Sequence, residues 1–347
     1  MALEDAPALL ADPDLLTWVD LADPDEDAVM EFARELGIDA PTVEDILGAD
    51  ERVKIHRYAH HWLVTAYTTS LVDLDDQPGH ASRLTLEKVS ALVFPHGLVT
   101  IHAGNDFDPL AMAARWSDEP AELALGVGVL LHAFLDTVVD DHFDTTQTLD
   151  DIVDETEDTV FSGQLNQRTF PEQIHQVRQE LAQMRRVVLP MREIVASIQR
   201  HRILAAELNA ESARNGTEDH GLLAGSALVQ QTFSRSDVRI DPGLEPLFDD
   251  LYDHVLRVME WTDSLRDLVS SVFETNLSLQ NARLNEVMKK LAGWAAIIAV
   301  PTAITGWFGQ NIPYWGFGDV SGLVASVALI VVLGGGLYFV LRHYDWI

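Results

Sequence analysis

The 347-residue chain carries 55 Asp and Glu against 23 Lys and Arg, giving a formal net charge of −32 at pH 7, and it has no cysteine. That acidity argues against nucleic acid and against a polybasic grip on anionic lipid; it fits a surface that attracts cations, or one kept soluble by its charge. Disulfides and thiolate metal sites are excluded.

The N-terminus, MALEDAPALLADPD, has no basic n-region and no apolar h-region. It does not read as a secretory signal, so most of the chain is expected to stay on the side where it was made. Residues 1–118 read as the α/β part of a cytoplasmic domain. PDEDAVMEFARELG and PTVEDILG predict helices, each opened by proline with acidic residues in its first turn and ended by glycine. HWLVTAY, VSALVFP and GLVTIHA predict strands, the last two joined as a hairpin across Pro95, His96 and Gly97.

Residues 119–243 read as almost wholly helical. Leu131, Phe134, Leu135, Val138, Val139, His142 and Phe143 recur at three- and four-residue steps, with the carboxylates mostly on the other face, and His142 reads as a satisfied core residue. Pro190 is expected to bend or break the next helix, and NGTEDHGLLAGS reads as a glycine-rich loop. The acidic stretches DDHFD and DDIVDETED sit in no glycine-rich or nucleophile-bearing context, and no phosphate loop is present, so an enzyme is not expected.

From Pro246 neither proline nor glycine interrupts the chain until Gly293. Leu247, Leu251, His254, Val255, Val258, Trp261, Leu265, Leu268, Val272, Leu279 and Met288 form a helical stripe that predicts a stalk helix over 244–290. Run into the apolar segment beyond, it would cover about 60 residues, on the order of 90 Å, which implies a bundle or an oligomeric stalk. Leu291 to Phe308 and Val320 to Leu341 carry no charge, and each is close to the ~20 residues a membrane-crossing helix needs. Transmembrane helices are therefore predicted at 291–308 and 320–341; buried core helices would be shorter and would carry a polar edge. Arg283, Lys289 and Lys290 precede the first span, and Arg342 and His343 follow the second. Both termini, including the 342–347 tail, are thus expected in the cytoplasm, and the 309–319 connection outside.

One face of the first span is narrow and mildly polar: Asn285, Met288, Ala292, Ala295, Ala299, Thr302 and Gly306. Small residues on one face permit close helix packing. They also suit a pore wall, which two spans cannot enclose, so several chains would be needed. Pro301 frees the carbonyl of Ile297, which in a pore could face water.

The order of a long acidic helix, NEVMKKLAG, an apolar span ending GWFGQN, a short loop and a second apolar span resembles the CorA family of divalent-cation channels. Family members carry Gly-Met-Asn where this chain has Gly309, Gln310 and Asn311. PTVEDILG, FDP at 107–109, LPMREIV, DLYDH and SLRDLVS extend the likeness over nearly the whole chain. The resemblance implies a homopentameric funnel in the cell (inner or plasma) membrane, with an α/β/α cytoplasmic domain and a pore lined by the first span. It implies recognition of hydrated Mg2+ at the Gly-x-Asn mouth, and cation sites between cytoplasmic domains that hold the channel closed. Asn311 matches the motif's asparagine, Asn285 a polar ring at the cytoplasmic end of the pore, Thr302 a pore-lining threonine, and Asp250 the stalk carboxylate of the regulatory site. Asp253 lies one helical turn from Asp249 and Asp250, so these like charges repel and a bound cation would relieve them. Asp73, Asp75 and Asp76, in a polar turn, are candidate partner carboxylates.

Mg2+ sheds water reluctantly, so a ring of neutral amide oxygens can hold its hydration shell without stripping it. Gln310 places an amide where the family has a thioether, and LRHYDWI replaces a lysine-rich C-terminus. Co2+, Ni2+ or Zn2+ are further candidate cargoes. The rivals are a ZntB-like, proton-coupled Zn2+ transporter and a membrane oligomer that binds Mg2+ without conducting it. Of the 13 histidines none falls in the first span, and His60 and His61, in a predicted strand, would point to opposite faces.

Overall fold

The computed structural model describes residues 5–49, 51–72, 84–104, 106–118, 121–162, 169–214, 238–311 and 313–347. The chain divides into two units, Met1–Ser270 and Ser271–Ile347. In chain order the first holds α1 (Ala6–Leu10), β1 (Thr17–Ala22), α2 (Glu26–Glu35), α3 (Ala40–Leu47), β2 (Lys54–Arg57), β3 (Trp62–Leu71), β4 (Leu84–Phe94), β5 (Gly97–His102) and α4 (Pro109–Asp118). Two long helices follow, α5 (Val127–Ser162) and α6 (Phe170–Arg214), and then the first part of α7 (Glu245–Phe308).

The sheet order is β1-β5-β4-β3-β2, with β1 parallel to β5 and the other pairs antiparallel. Phe94 pairs with Gly97, leaving Pro95 and His96 as the expected hairpin turn. Period-two alternation sorts the strand side chains. Trp62, Val64 and Ala66 of β3 and Val89, Ala91 and Val93 of β4 join the core of α5, α6 and α7. Leu63, Leu92, Phe94 and Val99 face the core of α2 and α3. The result is an α/β/α sandwich. The edge strands β1 and β2 were not foreseen, because TWVDLA and KIHR are mostly half-buried and carry charged residues rather than an apolar run.

Asp25 and Asp39 cap α2 and α3, accepting from the amides of Ala28 and Thr42. Because α3 begins at Ala40, Glu44 and Asp45 fall beyond its first turn, which holds no acidic residue, contrary to expectation. His60 and His61 lie in the turn before β3, not in a strand: the Tyr58 amide donates to the His61 carbonyl (2.8 Å), and the His61 ring is buried against Tyr58.

Pro190 neither breaks nor ends α6, which runs on to Arg214. Val187, Val188, Met191, Ile194 and Val195 around it are all buried, and this packing outweighs the ~3 kcal/mol that an interior proline costs. The loop NGTEDHGLLAGS falls outside the described residues. On α7 as far as Asn276 the buried positions are Phe248, Leu251, Val255, Val258, Thr262, Leu265, Val269, Val272 and Asn276. Of the expected stripe, Leu251, Val255, Val258, Leu265 and Val272 are buried, Leu247, His254, Trp261, Leu268 and Leu279 are half-buried, and Met288 is exposed.

The second unit contains the remainder of α7 and α8 (Val320–His343), which includes a π-helical turn at Ile330–Gly334. Both α7 and α8 are long and apolar enough to cross a membrane.

Candidate functional site

The apolar end of α7 presents three stripes. Asn285, Met288, Ala292, Ala295, Ala299, Thr302 and Gly306 are all exposed. Beside them runs a half-buried stripe, Ala296, Ile297, Val300, Pro301, Ile304 and Phe308, in line with buried Gly293. The third stripe is exposed but bulky: Leu291 (64%), Trp294 (50%) and Ile298 (65%). The accessible circumference is therefore of two kinds, one suited to hydrocarbon and one too small to fill the space beside it. Pro301 and Ile297 belong to the half-buried stripe. Thr302 Oγ1 donates back to the Ile298 carbonyl (2.9 Å), which satisfies its proton within the helix and leaves its lone pairs available.

Gly309, Gln310 and Asn311 are exposed at the end of α7. The Gly309 amide donates to the Thr305 carbonyl (2.8 Å) and the Gln310 amide to the Trp307 carbonyl (3.3 Å), closing the last turn. A Cβ on Gly309 would stand 3.0 Å from the Thr305 carbonyl oxygen, so the close turn favours glycine. Beyond the tripeptide the Tyr314 hydroxyl donates to the Phe308 carbonyl (2.8 Å). The Tyr314 ring stands edge-on to Phe308 at 5.1 Å and to Phe317 at 5.3 Å.

The stalk carboxylates separate. Asp249 accepts from Gln199 Nε2 of α6 (2.8 Å). Asp250 is open to solvent, its side chain 71% exposed, with His254 Nε2 3.8 Å away, and Asp253 is exposed. Among the described residues no three His, Asp or Glu side chains are grouped to hold a metal ion. Asp73, Asp75 and Asp76 lie outside the described residues.

The structure adds neighbours that the sequence reading did not name. His132, Asp136 and Asp140 recur at four-residue steps on α5, and Asp136 is half-buried although the carboxylates were assigned mostly to the far face. Arg115 of α4 pairs with both Asp136 and Asp140. His132 Nε2 hydrogen-bonds the Leu247 carbonyl (3.1 Å). Burial holds His132 below the usual imidazole range against the opposing charges of Asp136 and Asp250. Burial likewise raises Asp136, opposed by Arg115 and His132. Their even spacing was the available signal. One residue further along, Asp141 is pushed up to about 7 by burial and then by Asp144, Asp140 and Asp106, and its Oδ2 has no hydrogen-bond partner among the described residues. His142 is a core residue as expected: its Nε2 meets the Tyr67 carbonyl at 2.8 Å, and burial lowers it to about 4.

Comparison with known proteins places this architecture. The profile of the family described as CorA-like Mg2+ transporter protein matches residues 14–343. The chain is 24% identical over 326 residues to the cobalt/magnesium transport protein CorA of Thermotoga maritima, covering 91% of this chain and 81% of that one. It is 22% identical over 339 residues to the protein of the same description from Methanocaldococcus jannaschii, covering 96% and 92%. The complete structure of the CorA magnesium transporter from M. jannaschii superposes with a TM-score of 0.67 at 20% identity, covering 95% of this chain and 91% of that chain.

Proposed function

Since this chain belongs to the CorA-like Mg2+ transporter family, a family of divalent-cation transporters and not of enzymes, we propose that it conducts Mg2+ through a pore lined by the small face of α7. A homopentamer encloses the pore, with Gly309, Gln310 and Asn311 at its outer mouth. The observation that carries this reading is the exposure of all seven small-face residues, from Asn285 to Gly306, in the single chain. A stripe of alanine, glycine and threonine gains little from lipid, and it gives either close helix contact or a water-filled wall once copies assemble.

Hydrated Mg2+ is the substrate. Five Asn311 amide oxygens receive the waters of its first shell, so the ion enters without losing them. Thr302 offers hydroxyl oxygens further in, and Asn285 a second amide ring at the inner end. Neutral ligands discriminate weakly, and Gln310 adds a further amide, which favours admission of Co2+ and Ni2+ alongside Mg2+. The flanking basic residues put both termini in the cytoplasm and the 309–319 connection outside.

Regulation follows from the outward aspartates. Asp250 and Asp253 are hard oxygen donors suited to Mg2+, and in one chain they make only part of a site. A carboxylate from a neighbouring subunit completes it, with Asp73, Asp75 and Asp76 as the candidates. Bound Mg2+ then relieves the repulsion between stalk carboxylates and holds the assembly closed.

Cation uptake into proteoliposomes, with Mg2+ and Zn2+ in competition and with or without a proton gradient, tests the reading. Mg2+ uptake that persists without the gradient and is blocked by Co2+ is the expected result. Zn2+ uptake driven by the gradient would identify a zinc transporter instead. An intact oligomer that passes no cation would leave only a Mg2+-binding membrane protein.

A further inference from the structure

The tripeptide read as the mouth follows the last turn of α7, and an aromatic side chain downstream of it reaches back to that turn. On the near side, Gly309 and Gln310 are fixed by amide bonds into the last turn of α7. That leaves the Phe308 carbonyl, at the helix end, as an acceptor with no later helical amide to meet it. Tyr314 supplies the missing donor: its hydroxyl meets this carbonyl at 2.8 Å. The Tyr314 side chain thus reaches back to the residue that immediately precedes Gly309, Gln310 and Asn311.

The hydroxyl is itself held in place. The Tyr314 ring is set edge-on between Phe308 and Phe317, at 5.1 Å and 80° and at 5.3 Å and 85°. The Phe317 amide donates to the Tyr314 carbonyl (2.9 Å), and Gly316 takes a φ of +84° that lets the turn close. A Cβ on Gly322, at the start of α8, would strike the Gly316 carbonyl, so this turn is seated on α8 by glycine-to-backbone contact. The Phe308 end of α7, next to the tripeptide, is thus connected to α8 through Tyr314, Phe317 and the Gly316–Gly322 contact. By contrast Trp315 is 82% exposed and takes no part in the seat.

We infer that Tyr314 is a positioning residue of the mouth: its hydroxyl and ring set where Asn311 stands, and so the fit of the amide ring to the hydrated cation. The inference rests on the reading of Gly309–Asn311 as the mouth. A ring that holds ion-bound water depends on where its oxygens stand, because each must reach a water of the shell at hydrogen-bond distance. A lost hydrogen bond is worth about 1 kcal/mol, on the order of fivefold in an equilibrium.

The test compares Tyr314→Phe, Phe317→Ala and Asn311→Ala in proteoliposomes, reading the Mg2+ concentration for half-maximal uptake, the block by Co2+, the oligomer's elution and its thermal unfolding. Tyr314→Phe keeps the ring stack and removes only the hydroxyl. It is expected to weaken apparent Mg2+ affinity on the order of fivefold and to alter the Mg2+-to-Co2+ preference, with elution and unfolding unchanged. Phe317→Ala, which leaves the hydroxyl but unseats the ring, is expected to shift the preference in the same direction. If Tyr314→Phe matches the unmodified protein while Asn311→Ala loses selective uptake, the mouth reading stands and the positioning role is wrong. If Tyr314→Phe lowers unfolding temperature or assembly and leaves ion preference untouched, the role is structural only and the inference fails. If Asn311→Ala is also normal, the mouth reading and this inference fall together.

Discussion

The first unit buries its apolar side chains against itself, and the second leaves them out. Within Met1–Ser270 both faces of the sheet are covered, and side chains such as Trp62, Phe134 and Phe248 are fully buried. Within Ser271–Ile347, Leu291, Trp294, Ile298, Trp307, Val324 and Val331 are each half or more exposed. The second unit is the richer in apolar residues and the poorer in charge, yet it leaves more of them exposed. What differs is where the covering surface comes from: the chain itself supplies it in the first unit, while lipid and further copies are the proposed cover in the second. Folding of the first unit and the ion passage proposed for the second should therefore be separable by mutation.

The largest expected effect lies in the first unit. Phe134→Ala removes a fully buried ring of α5 and is expected to cost about 3–5 kcal/mol of stability, read as a lower denaturation midpoint. Smaller, and confined to regulation, is Asp250→Ala. It is expected to raise the Mg2+ concentration that protects the chain from proteolysis by on the order of tenfold, with the unfolding of the first unit unchanged. Equal protection in the variant would remove Asp250 from the site.

The smallest concerns Asp141. Its carboxyl titrates at about 7 in the folded chain against 3.8 in the unfolded one, so the folded state holds the proton more tightly. Stability is therefore lost as pH rises from about 4 towards 7, and above 7 the loss is constant. Asp141→Asn abolishes this dependence. The variant is expected to be more stable than the unmodified protein at pH 8 by about 1 kcal/mol, allowing for solvent screening, with the gain shrinking as pH falls. Thermal unfolding across that range checks it.

The legible parts of the fold were those where one physical term dominated. The strands through Val64, Ala91 and Val99 were plain because both faces of the sheet are covered, which makes their sequences apolar. Edge strands such as KIHR carry no such run and were missed. That Pro190 does not break α6 could not be read, because the sequence shows the missing amide but not the packing of Val187, Met191 and Ile194 that outweighs it. At the candidate site, the small face and the tripeptide could be read from spacing and motif. The Arg115 pairings with Asp136 and Asp140 could not, because they join α4 to α5 across a fold that the sequence does not display. Tyr314 gave no signal either: its part depends on a carbonyl orphaned by the helix end, which is a fact of geometry.

Mg2+ uptake into proteoliposomes by the unmodified protein and by Asn311→Ala, at matched oligomer content and matched stability of the first unit, tests the central claim most directly. Loss of selective Mg2+ uptake in the variant, with folding and assembly intact, is the predicted result. Equal uptake with equal block by Co2+ in both proteins would contradict it.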